Sequence, residues 1–145
     1  PGQHRARSHQ VPNRGTNLTL SAPMRQFLIV NQTRPISNSI VLSLCDTFWS
    51  RFRGLMLRPS LQPGEGIILA ENSQSVLNAT IHMLFMRFDI GVVWLNREYQ
   101  VVDRKIARQW QLAVAPQAPA AYILEIHPTQ LEQFQVGDHV EFQPQ

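Results

Sequence analysis

The feature that most narrows the folds open to this sequence is a succession of short β-branched and aliphatic runs separated by turn residues, with no regular strand–helix alternation. Gln26 to Val30 and Ser39 to Cys45 are such runs, and the second sets Ile40, Leu42 and Leu44 on one face. Asp46 or Thr47 can cap a short helix that Pro59 ends, since the residue before a proline is pushed out of helical geometry. Along that stretch Phe48, Trp49, Phe52, Leu55 and Met56 fall within about a third of the circumference, an apolar face fit to cover a sheet.

Gln62-Pro63-Gly64-Glu65-Gly66 carries turn chemistry and leads into the brief strand Ile67-Ile68-Leu69, after which Glu71 to Ser75 reads as a polar loop. From Ala79 to Met86 the alternation predicts a strand with Ala79, Ile81, Met83 and Phe85 on one side and Thr80, His82, Leu84 and Met86 on the other. Gly91 to Leu95 and Tyr99 to Asp103 flank Asn96-Arg97-Glu98 in the layout of a hairpin. Tyr122 to Ile126 and Val136 to Phe142 complete the set, with a helical turn over Thr129 to Gln133 and Gly137-Asp138 starting or bending the last strand. About seven strands, one helix and no βαβ pattern predict a mainly β domain, a compact antiparallel sandwich or barrel with one short covering helix.

Domain organisation follows from where bulky apolar residues begin. Residues 1–23 hold few of them and read as a flexible basic arm, leaving 24–145 as a single domain. Four of the thirteen basic residues (Arg5, Arg7, Arg14 and Arg25) lie in the first 25 positions, where there is no acid; the remainder carries nine bases against ten acids. The body therefore lacks the basic field that nonspecific nucleic-acid binding requires, and no nucleic-acid partner is expected. No apolar stretch approaches the ~18 residues of a membrane span, so membrane insertion is not expected either. A lone cysteine suits a reducing compartment, and the expected location is cytoplasmic, with Pro1 in first position leaving room for a removed signal segment.

Phosphate-cradling glycine loops, the dinucleotide fingerprint, the hydrolase nucleophile elbow and the zincin helix are all absent, so no cofactor is implied. His82, His127, His139 and Cys45 show no metal-ligand spacing, and no metal site is expected. Cys45 ends an aliphatic strand, a setting for packing rather than nucleophilic chemistry. More informative is the helix from Phe48 to Arg58, where Arg51, Gly54 and Arg58 share one stripe and the glycine opens a gap between two guanidinium groups. A carboxylate or phosphate fits such a gap; alternatively, the glycine admits a close backbone and the arginines pair with the protein's own acids. His82, beside Thr80 among Met and Phe neighbours, is the catalytic candidate, as a general acid or base; its other role is that of a hydrogen-bonded core histidine.

Three blocks carry a family resemblance. Arg51-Phe52-Arg53-Gly54-Leu55-Met56, with Arg58, Leu61 and the Gly64-Glu65-Gly66 turn, resembles the R-x-R-G-L-M-x-R-x-x-L…G-x-G opening of the domain of unknown function 192 family. Ile81-His82-Met83-Leu84-Phe85-Met86-Arg87-Phe88 through Asn96 is similar to its I-H-x-x-F-M-x-F-P-I-D-V-V-F-L-D block, and Tyr122-Ile123-Leu124-Glu125 with Gly137-Asp138 gives a weaker third match. The resemblance implies a small, predominantly β prokaryotic domain and no agreed activity. This sequence departs from the pattern at Asp89 in place of Pro, Gly91 in place of Asp and Asn96 in place of the closing Asp, which puts in doubt any role resting on a carboxylate at position 91.

The primary expectation is a noncatalytic binding module whose cleft, formed by Arg51, Arg53, Gly54, Arg58, His82 and Asp89, takes an anionic small molecule or an acidic peptide end. The alternatives are a hydrolase or lyase using His82 as general base, oriented by Asp89 or Asp103, and a structural interaction module presenting Trp94 or Trp110 to a protein partner.

Overall fold

The computed structural model describes residues 24–47 and 54–145. Seven strands form one sheet: β1 (Gln26–Asn31), β2 (Val41–Cys45), β3 (Gly66–Ser75), β4 (Ile90–Leu95), β5 (Val101–Ala107), β6 (Ala120–Ile126) and β7 (Val140–Pro144). Their order is β5-β4-β6-β3-β2-β1-β7. All neighbours run antiparallel except β2 and β3, which pair in parallel from Ser43 opposite Ile67 to Cys45 opposite Leu69. The two edges curl toward each other at one end. There Val101 donates its backbone N–H to Asp138 O at 2.8 Å, and Val140 donates to Tyr99 O at 2.9 Å, bringing the start of β5 against that of β7. The mainly β, barrel-like architecture is as expected, and the short helical segment is the 3-10 helix Pro128–Gln133, begun by His127, whose side chain accepts from the Thr129 N–H.

β4, the first half of β3 and, apart from Glu125, β6 are apolar on both faces, which is why they read as continuous runs rather than clean alternations. Ile68, Val93, Leu95, Leu124 and Ile126 point into the curl and pack with Phe27, Leu42, Leu131 and Phe134. Ile67, Leu69, Val92, Trp94 and Ile123 point the other way, where Leu55, Ile81, Met83, Met86 and Val114 cover them. Trp94 is completely enclosed there and donates its indole N–H to Ala79 O at 2.8 Å.

Several local expectations need correction. Ala79–Met86 is not a strand; it runs as turns and contributes one isolated bridge, Ile81 to Val114. The alternation nevertheless describes burial as far as Met83, with Ala79, Ile81 and Met83 buried and His82 exposed. It fails at Phe85, whose φ of 59° reverses the chain, so that Phe85 is exposed and Met86 buried. Glu71–Ser75 continues β3 rather than forming a loop, because backbone pairing resumes at Ser75 opposite Ala120 beyond an irregularity. The last strand starts at Val140, since Gly137, at φ 97°, belongs to the preceding turn. For the expected helix from Phe48 to Arg58, positions 48–53 lie outside the described residues, and Gly54–Leu57 form a turn that Leu57, at φ 63°, ends.

Asp138 is the knot at the curled end. It accepts from Arg34 Nε at 2.7 Å, Asn31 Nδ2 at 2.8 Å and the Gln135 backbone N–H at 2.9 Å. Burial alone would raise its carboxyl, but these donors outweigh that effect and hold it at about 2.

Candidate functional site

The layer covering the outer face of β3 and β6 does not close completely. Between it and the sheet lies a cavity of about 280 Å³. Its apolar wall includes Met56, Met83 and Met86, three of the chain's four methionines, whose unbranched side chains adapt to differently shaped occupants. Its polar groups come from Glu71 at the middle of β3, Asn78, Thr80 and His82 in the covering loop, and Glu125 on β6.

Glu125 is the unusual member. On β6 it shares a face with Ile123 and sits in register between Ile67 of β3 and Val92 of β4, so its flanking side chains are aliphatic. It is only 7% exposed. No described side chain or backbone group hydrogen-bonds its carboxylate, whose oxygens keep some access to the cavity; among the described residues the fully enclosed side-chain atom without a partner is Gln130 Nε2. Burial pushes its carboxyl up to about 7. At neutral pH the group is thus divided between a proton donor and an uncompensated anion, and it lines a space large enough for a small molecule. Among the described lining residues the formally charged side chains are both acids, Glu71 and Glu125.

The expected site residues do not all converge. Gly54 and His82 line this cavity together. His82 is exposed rather than a core histidine, and its Nδ1 accepts from the Leu84 backbone N–H at 3.3 Å. Arg58 is exposed and does not line the cavity, while Arg51 and Arg53 lie outside the described residues. Asp89 borders a different hollow with Leu61, Arg87 and His127, and it accepts from Arg108 Nη1 at 3.3 Å and from the Gln109 backbone N–H at 2.9 Å. Asp103, the other group expected to orient His82, is buried against the backbone N–H groups of Arg104 and Gln117. Among the described residues, no group of three His, Cys, Asp or Glu is placed to hold a metal ion.

Position 91 also changes meaning. Gly91 faces the inside of the curl, where an added Cβ would lie 3.2 Å from Ile126 Cγ1 and 3.3 Å from Leu131 Cβ. A carboxylate there would stand on the opposite side of the sheet from the His82 cavity. Its replacement by glycine therefore removes nothing from that cavity.

The profile of DUF192, described as "Uncharacterized ACR", matches residues 29–142. The chain belongs to this family. It is 40% identical over 98 residues to the UPF0127 protein of Thermococcus kodakarensis, covering 68% of this chain and 60% of that one. It is 34% identical over 116 residues to the UPF0127 protein of Pyrococcus furiosus, covering 79% of this chain and 97% of the relative. The chain thus spans about three fifths of the Thermococcus relative and nearly all of the Pyrococcus one. Two crystal structures share the fold. One, from Sinorhizobium meliloti and named as a candidate transcription regulator, superposes with a TM-score of 0.72 at 15% identity, covering 85% of this chain and 96% of that one. The other, a Novosphingobium aromaticivorans protein of unknown function, gives 0.65 at 21% identity, covering 81% and 83%. Among the described residues of this DUF192 domain, no helix is long and apolar enough to cross a membrane.

Proposed function

We propose that this DUF192 domain binds a small organic molecule with an apolar body and a single hydrogen-bond-donating head, an amine or a hydroxyl, seated on Glu125. The observation that carries this reading is a largely desolvated carboxylate, with no described protein donor, at the wall of a methionine-lined cavity. A ligand N–H or O–H gives that carboxylate a fixed donor inside an apolar surround, where hydrogen bonds to a charged group are stronger than neutral ones. The expected anionic ligand turned on Arg51 and Arg53, which lie outside the described residues, and on Arg58, which does not line this cavity. Thermal unfolding at pH 8 in millimolar n-butylammonium, 1-butanol or butyrate tests the assignment. Stabilisation by the amine and the alcohol but not by butyrate, with the amine's effect lost in Glu125→Gln, supports it; stabilisation by butyrate alone, or by none of the three, rejects it.

A hydrolase or lyase reading draws on the same geometry. With Asp89 and Asp103 bonded elsewhere, the general base in that reading becomes Glu125, whose carboxyl near 7 suits proton transfer at neutral pH, with His82 lining the same cavity from the covering loop. Turnover of a chromogenic ester or glycoside panel that rises through pH 7 and vanishes in Glu125→Gln would favour catalysis over simple binding.

A further inference from the structure

Three bulky apolar residues, Leu57, Phe85 and Trp110, adopt left-handed backbone conformations, with φ of 63°, 59° and 66°. Side chains of this size rarely occupy that region, and such conformations persist only where surrounding structure enforces them. Here the three segments are tied together through their backbones. Leu57 N–H donates to Phe85 O at 3.2 Å, Trp110 N–H to Met83 O at 2.9 Å, and Met83 N–H to Gln111 O at 2.8 Å. The result is the reverse of burial: Leu57 is 59% exposed, Phe85 52% and Trp110 56%, with the Phe85 and Trp110 rings edge to face at 5.4 Å. Leu112, in the same loop as Trp110, is 78% exposed.

Each projecting residue has an arginine one or two positions away: Arg58 after Leu57, Arg87 after Phe85 and Arg108 before Trp110, all exposed. The three described segments, 54–58, 82–89 and 107–114, contain these three arginines and a single acid, Asp89. Arg108 is paired with Asp89 at 3.3 Å, which leaves Arg58 and Arg87 as the cations flanking the tip. An apolar, aromatic tip flanked by cations is complementary to a bilayer whose headgroups are anionic and whose interfacial region accepts Trp, Phe and Leu.

We propose that the Leu57–Phe85–Trp110 tip is a peripheral docking surface for an anionic membrane, inserting its apolar side chains between headgroups while Arg58 and Arg87 contact phosphates. Docking of this kind requires no membrane-spanning segment, and it does not depend on what occupies the Glu125 cavity.

The test is co-sedimentation with phosphatidylglycerol-rich and pure phosphatidylcholine vesicles, read alongside tryptophan emission. The parent should sediment with the anionic vesicles only, and in a Trp49→Phe background the emission should shift to the blue through Trp110, since the remaining Trp94 is already buried. The double variant Phe85→Gly, Trp110→Gly should lose both signals while its Tm is unchanged or higher, because glycine relieves both left-handed backbones. Arg58→Gln and Arg87→Gln should each weaken partitioning about fivefold. Failure of the parent to bind anionic vesicles, or retention of binding in the double glycine variant, overturns the proposal. So does a concentration-dependent dimer that the double variant abolishes, which would make a second copy of the chain the occupant.

Discussion

Glu125 offers the sharpest quantitative test, because its burial ties ionisation to stability. Its carboxyl moves from an ordinary value near 4.5 to about 7 on folding. Below about pH 4.5 the group is protonated in both the folded and unfolded states and imposes no penalty. Between about 4.5 and 7 the unfolded chain ionises first, so stability falls as pH rises; above about 7 both states are ionised and the loss is complete. At about 1.4 kcal/mol per pH unit, the total is about 3 kcal/mol. For a domain of this size that corresponds to a Tm difference of about 10 °C. Urea and thermal unfolding of the parent, Glu125→Gln and Glu125→Leu should be measured from pH 4 to 8. Both variants should gain about 3 kcal/mol relative to the parent across that window, whatever their offset at pH 4, where the amide's own unpartnered donors and the altered packing are felt equally at every pH. Parallel stability curves for parent and variants would refute the burial argument and remove the main support for the binding site.

Two further outcomes follow from the packing. Asp138→Asn should cost roughly 2 kcal/mol at pH 7, since it weakens charge-assisted hydrogen bonds from Arg34 and Asn31; the difference should shrink as pH falls below about 3.8 toward 2, where the native carboxyl also protonates, as a urea series would show. Gly91→Asp, which restores the family acid, should destabilise by at least about 2 kcal/mol through its approach to Ile126 and Leu131 and the burial of a carboxylate, while leaving the amine response of the cavity intact in thermal-shift assays.

The strands were legible because side-chain alternation and turn chemistry are local properties. β1, β2, the β4–β5 hairpin and β6 fall within a few residues of where hydrophobic pattern places them. The covering loop was only half legible. Ala79, Ile81 and Met83 keep a period of two because they face the sheet, but a single left-handed residue, Phe85, shifts the phase, and nothing in its side chain announces a conformation imposed by hydrogen bonds to distant segments. Glu125 did leave a trace, as the one acid within Ala-Ala-Tyr-Ile-Leu-Glu-Ile. On an ordinary antiparallel strand that acid would face water, and the pattern alone cannot say whether its side of the sheet is covered.

The amino-acid order by itself determined a mainly β domain, its strand set and its membership of DUF192, since these depend on which residues alternate and which motifs recur along the chain. Tertiary structure alone decided that the acid on β6 is buried while Asp89 and Asp103 are bonded elsewhere, that position 91 looks into the curl and His82 out of it, and that three large apolar residues are held in solvent. The physical reason is that solvation and partner choice depend on what lies across the sheet, and here the covering groups come from segments tens of residues away.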